Sequence, residues 1–79
     1  MWQDRQELGR QILGYYSYEG GYRPGGFLES LLTTWGKADM LNRSRLALGF
    51  SELYTMLTQF ELMGPEAYKE WLDSMDDEE

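Results

Sequence analysis

The side chains that could take part in a reaction are five serines, at positions 17, 30, 44, 51 and 74, and fourteen carboxylates. A serine hydroxyl becomes a nucleophile when a base sits beside it, most often histidine, and the chain has no histidine. No serine stands in a Gly-x-Ser-x-Gly elbow. Cysteine is absent as well, which removes thiolate nucleophiles, thiolate metal ligands and disulfides. Paired carboxylates can share acid and base roles across a glycosidic bond, but they need a cleft, and 79 residues hardly enclose one. Neither a Walker loop nor a dinucleotide fingerprint occurs. The acidic segments lack the glycine and ligand rhythm of an EF-hand loop. These residues predict a protein that is not an enzyme and carries no metal or cofactor.

Binding chemistry is better represented. Tyr15, Tyr16, Tyr18 and Tyr22 crowd one short stretch, with Arg23 beside them. Tyrosine and arginine are favoured at binding hot spots because each joins a large contact area to a polar tip. Four rings exceed what one buried helix face can hold. Tyr15 and Tyr16 are expected to finish the core, and Tyr18, Tyr22 and Arg23 are the candidates for partner contact. A second candidate surface is acidic. Residues 1–50 hold six cations against five carboxylates, net +1, whereas residues 51–79 hold nine carboxylates against Lys69, net −8. Within that last part Glu66, Glu70, Asp73 and Asp77 are spaced by four, three and four, so a helix would align them on one face. Such a stripe can imitate a phosphate backbone, or can be the wet side of an amphipathic helix. Either way it repels nucleic acid. The arginines at 5, 10, 23, 43 and 45 are dispersed among acids and make only a weak DNA-binding pattern.

Helices are the elements available to position these groups. Asp4 with Glu7 has capping-box spacing, and Leu8, Ile12, Tyr15 and Tyr16 follow at helical intervals. Gly9 and Gly14 weaken that helix unless they mark a close helix–helix approach. Residues 19–26 read as a loop, with Pro24 between glycine pairs. A second helix is predicted from Gly26 to Trp35, with Leu28, Leu31, Leu32 and Trp35 as its apolar stripe and Gly36 as its stop. Asp39 should cap a third helix whose buried face would hold Ala38, Leu41, Leu46 and Phe50. A break near Gly49 would let Ser51 cap a fourth helix bearing Leu53, Tyr54, Leu57 and Phe60, the alternative being a single bent helix from 39 to 62. Gly64-Pro65 stops that helix and opens a last one, from Pro65 to Met75, with Tyr68, Trp71, Leu72 and Met75 on one face. No segment alternates long enough for a strand.

The stretch Tyr22-Arg23-Pro24-Gly25-Gly26-Phe27-Leu28, followed by Leu31-Leu32, Lys37-Ala38-Asp39, Asn42-Arg43 and Leu46, resembles a pattern in small, uncharacterised helical proteins encoded by tailed bacteriophages. Gly64-Pro65-Glu66 and Trp71-Leu72 match its late helix, so the likeness spans roughly residues 22–72. The resemblance implies a phage or prophage origin and a helical fold. It implies no reaction and transfers no functional residues. The matching residues also have structural uses: a turn at Gly25-Gly26, a core anchor at Phe27, a cap at Asp39, and a tie between loop and helix at Asn42 or Arg43.

The expected fold is all-α, a compact bundle of three to five short helices. Residues 1–75 form a single domain and residues 76–79 an acidic tail. The expected core is Leu28, Leu31, Leu32, Trp35, Leu46, Phe50, Leu53, Leu57, Phe60 and Trp71. The leading functional expectation is a phage accessory protein that binds and inhibits a host protein, for example in anti-defence. The alternatives are a phage assembly protein acting as a homo-oligomer and a small DNA-associated regulator. Absence of cysteine, of a signal-peptide core and of a long apolar run points to the cytoplasm rather than a membrane.

Overall fold

The computed structural model describes residues 5–77, with side chains through residue 75. Five α-helices follow in chain order: α1 Arg5–Tyr15, α2 Gly26–Lys37, α3 Met40–Gly49, α4 Ser51–Met63 and α5 Pro65–Asp77. No strand occurs among the described residues. The all-α bundle is as expected. The expected Asp4 cap of α1 lies outside the described residues.

The helix ends follow from local chemistry. Ser17 sits in the left-handed region at φ 64° and closes α1. The N–H of Tyr18 donates to the Leu13 carbonyl at 3.0 Å, and the N–H of Ser17 to that of Gly14 at 3.0 Å. That pair of bonds is a Schellman closure, with serine where glycine is usual. Asp39 caps α3 as expected, its Oδ1 accepting from the Asn42 N–H at 2.8 Å. Gly64 links α4 to α5 at φ 83°, a conformation open to glycine, and Pro65 starts α5 where no N–H is needed.

Several boundaries differ from the sequence expectation. Gly36 does not stop α2, which runs on to Lys37 and is closed at Ala38. The break between α3 and α4 falls at Phe50, whose φ of −134° interrupts the helical path. Ser51 is therefore the first helical residue and not the cap. α5 continues through Asp77, so Asp76 and Asp77 are helical rather than part of a tail.

The core forms where α1, α2, α4 and α5 meet. Leu8, Ile12 and Leu13 of α1 pack with Leu28, Leu31, Leu32 and Trp35 of α2, Leu53, Met56 and Leu57 of α4, and Tyr68 and Leu72 of α5. Leu46, Phe50, Phe60 and Trp71, expected inside, are only partly buried against this cluster. Met56 and Leu13 take the interior places instead. Gly9 lets α1 lie close to α4 and α5. A Cβ there would press on Leu72 and on the Met56 methyl. Gly14 serves the chain returning after the loop, because a Cβ would overlap the Tyr22 carbonyl. The expected helix–helix approach thus holds for Gly9, whereas Gly14 meets loop backbone instead. Arg10 is buried at 7% exposure, and it ties α1 to distant parts of the chain. Its guanidinium donates to the Gly20 carbonyl at 3.2 Å and to the Asp73 carboxylate of α5.

α3 is the exception to this packing. None of its residues is buried, and it lies chiefly against α4. The expected buried face of α3 is therefore corrected: Leu41 is exposed, while Ala38, Leu46 and Phe50 are half-buried. Phe27 is likewise not a core anchor. It is exposed and rests against Phe50 with ring centroids 6.2 Å apart.

Candidate functional site

The four most exposed large apolar side chains lie on α3 and α4. Met40 is 85% exposed, Leu41 61% and Leu48 88%, and Leu62 of α4 is 76% exposed. Isolated exposed leucines are ordinary, but several on neighbouring surfaces point to contact with another molecule. A groove of about 510 Å³ runs between α3 and α4. Its lining includes Trp35, Met40, Arg43, Tyr54, Glu61 and Leu62. A second hollow of about 380 Å³ lies on the other flank of α3, with Lys37, Asn42, Arg45 and Leu46 among its walls.

The groove is built by a small set of local interactions. Trp35 lies in the last turn of α2, and its carbonyl accepts from the Ala38 N–H and from Arg43 Nε, each at 3.2 Å. The Arg43 guanidinium lies 5.0 Å from the centre of the Trp35 ring, a cation–π distance. Tyr54 meets the same indole edge-on at 5.7 Å. Arg43 therefore holds the start of α3 against the end of α2 and sets the groove's width. The Trp35 indole N–H is buried without a hydrogen-bond partner among the described residues, so it is not offered to an incoming ligand.

The residues predicted to contact a partner fall on other surfaces. Tyr18 and Tyr22 are 44% and 51% exposed, and Arg23 is exposed. Tyr18 leans on Phe60 at 5.9 Å, and Tyr16 stacks flat on the same ring at 5.2 Å. Phe60 continues to Tyr68 and Tyr68 to Trp71, at 5.2 and 5.7 Å. The rings thus form a ladder joining the end of α1 to α4 and α5, half core and half surface. Tyr15 meets Tyr16 edge-on and shares a 2.9 Å hydrogen bond with Thr33, tying α1 to α2. Burial raises the Tyr16 phenol pKa above its ordinary value, with Tyr15 and Glu61 adding to the effect.

The acidic stripe is divided by its surroundings. Glu66 and Glu70 are exposed on α5. Asp73 is engaged by Arg10 and, at 3.2 Å, by Lys69 one turn earlier. Those hydrogen bonds, Arg10's first, hold the Asp73 carboxyl below its usual pKa. Asp77 lies in α5, but its side chain is outside the described residues. Among the described residues no cluster of three acidic side chains is arranged to hold a metal ion. No helix there is long and apolar enough to cross a membrane.

The α3 surface was legible in part. Leu41, Arg45 and Leu48 recur at i, i+4 and i+7, whereas Arg43 and Leu46 occupy the opposite side of the same helix. Leucines on both sides cannot all be buried by one neighbour, and that conflict was the available signal. Comparison with protein-family models, with curated proteins and with solved structures finds no match to this chain.

Proposed function

We propose that this protein is a non-enzymatic binding module whose α3–α4 groove receives an apolar helix face of another protein. The observation carrying this reading is the exposure of Met40 and Leu62 along a groove floored by Trp35. Helix-in-groove recognition uses apolar anchors at i, i+3, i+4 and i+7 laid into a furrow of this kind. Tyr54 supplies a broad aromatic wall, and Arg43 and Glu61 supply polar ends that fix the orientation of a guest. The resemblance to phage proteins supports a host protein as the guest, with inhibition as the outcome. Affinity capture from bacterial lysate tests the reading when wild type is compared with a Met40→Glu/Leu62→Glu variant. Both side chains are largely exposed, so the variant keeps its thermal unfolding within about 0.5 kcal/mol of wild type. It should lose the protein that wild type retains. Equal recovery by a folded variant would overturn the groove as the binding site.

A further inference from the structure

The outer face of α3 lies beside the groove and differs from it in character. Leu41, Arg45 and Leu48 form one exposed stripe with a cation between two leucines. Among the described residues the Arg45 guanidinium reaches only to the adjacent Asn42 side chain, at 3.3 Å. α3 holds no carboxylate, and exposed Lys37 at the end of α2 extends the positive surface. This is a cationic, apolar strip on a chain whose net charge is −7. The outer face of α5 is its counterpart. Glu66, Ala67 and Glu70 are exposed, and Trp71 is half-buried along the same edge. The ammonium of Lys69 is engaged by Asp73.

We propose that the α3 stripe of one molecule is covered by the α5 face of a second copy of this chain. Leu41 and Leu48 would lie against Ala67 and Trp71, with Arg45 and Lys37 among Glu66 and Glu70. Charge selects this pairing over the symmetric ones. Two α3 stripes set face to face would bring Arg45 against Arg45, and two α5 faces would bring glutamates together; like charges opposed in an interface cost several kcal/mol. The α3-to-α5 contact alone sets unlike charges opposite each other, and both faces present helical spacing. Made twice about a two-fold axis, it closes a dimer; made once per molecule, it grows head to tail. The proposal goes beyond the groove reading and uses none of the residues substituted to test it.

Sedimentation equilibrium of the full chain decides the matter. Wild type should show a mass that rises with concentration above the 9.3 kDa of one chain. Arg45→Glu alone and Glu70→Lys alone should each weaken association by about tenfold or more. An equimolar mixture of the two variants should recover wild-type association, because in the mixed pair each α3 again faces an α5 of opposite charge. Circular dichroism melts of both variants should stay near wild type, since each side chain is exposed. Wild type monomeric throughout the micromolar range would overturn the proposal. So would association indifferent to both substitutions, or a mixture no better than either variant alone.

Discussion

Tyr68 shows how much one side chain can be asked to do. Its ring sits at the centre of the aromatic ladder, fully buried beside Phe60 and Trp71. Its hydroxyl reaches toward Gly9 and has no hydrogen-bond partner among the described residues. Burial raises its pKa well above the ordinary tyrosine value, because an ionised oxygen there would have no solvation. A buried hydroxyl without a partner forfeits its hydrogen bonds to water. Tyr68→Phe removes that cost and keeps the ring. It should stabilise the fold by about 1 kcal/mol, an increase in Tm of roughly 4–8 °C for a domain of this size. A fall in Tm would mean that the hydroxyl contributes an interaction the structure does not show. Arg10 is the opposite case, a buried charge that is engaged. Replacing it with Met should cost about 1–3 kcal/mol, because the Gly20 carbonyl and Asp73 both lose a charged donor. Chemical denaturation measures either effect.

At the scale of the helix, the glycines separate into two kinds. Gly14 is a packing residue: the returning chain donates from the Tyr22 N–H to the Arg10 carbonyl at 2.8 Å, and its path leaves no room for a methyl group on α1. Gly14→Ala must move backbone against backbone, so the substitution should destabilise by about 3 kcal/mol. Gly36 is a helical residue with open space around it. Gly36→Ala gains helix propensity and should stabilise by about 0.5–1 kcal/mol. The two variants have the same sequence-level rationale and opposite expected signs, and denaturant midpoints at equal m-value distinguish them. α3 belongs to the same scale. A helix with no buried residue depends on its caps and on its neighbour, which here means Asp39, the Arg43–Trp35 contact and the flank of α4. Such an element opens at lower free energy than the core helices, so amide exchange on α3 should be faster than on α1 or α4.

Across the whole molecule, the Arg10–Asp73 contact joins residues 63 apart and fastens α5 over α1. The arginine is buried and the carboxylate is half exposed. Because Asp73 is held below its usual pKa in the fold, the contribution is fully present above about pH 4, the ordinary value of an unfolded aspartate. It is lost as pH falls through the lower folded value. Stability should therefore decline on acidification below about pH 4, and part of that decline should vanish in Asp73→Asn. Melts recorded from pH 7 to pH 2 on both proteins test this; parallel curves would assign the acid sensitivity to other carboxylates.

The helical segments, the Asp39 cap and the Gly64-Pro65 junction were readable from sequence, because each depends on spacing or backbone freedom within a few residues; the separation of α3 from α4 was readable only as one of two alternatives, a break or a single bent helix. The stripes of α2 and α5 were readable for the same reason. Burial was not. Leu41 and Leu46 are equally hydrophobic on one helix, yet the first faces outward and the second lies against the core. Asp73 and Glu70 are equally acidic on α5, yet only Asp73 meets a buried arginine from the other end of the chain. Sequence determined that this chain makes short amphipathic helices and has neither histidine nor cysteine. Tertiary structure decided which apolar face was left uncovered, because that depends on how many neighbours each helix acquires, and α3 acquired little more than one.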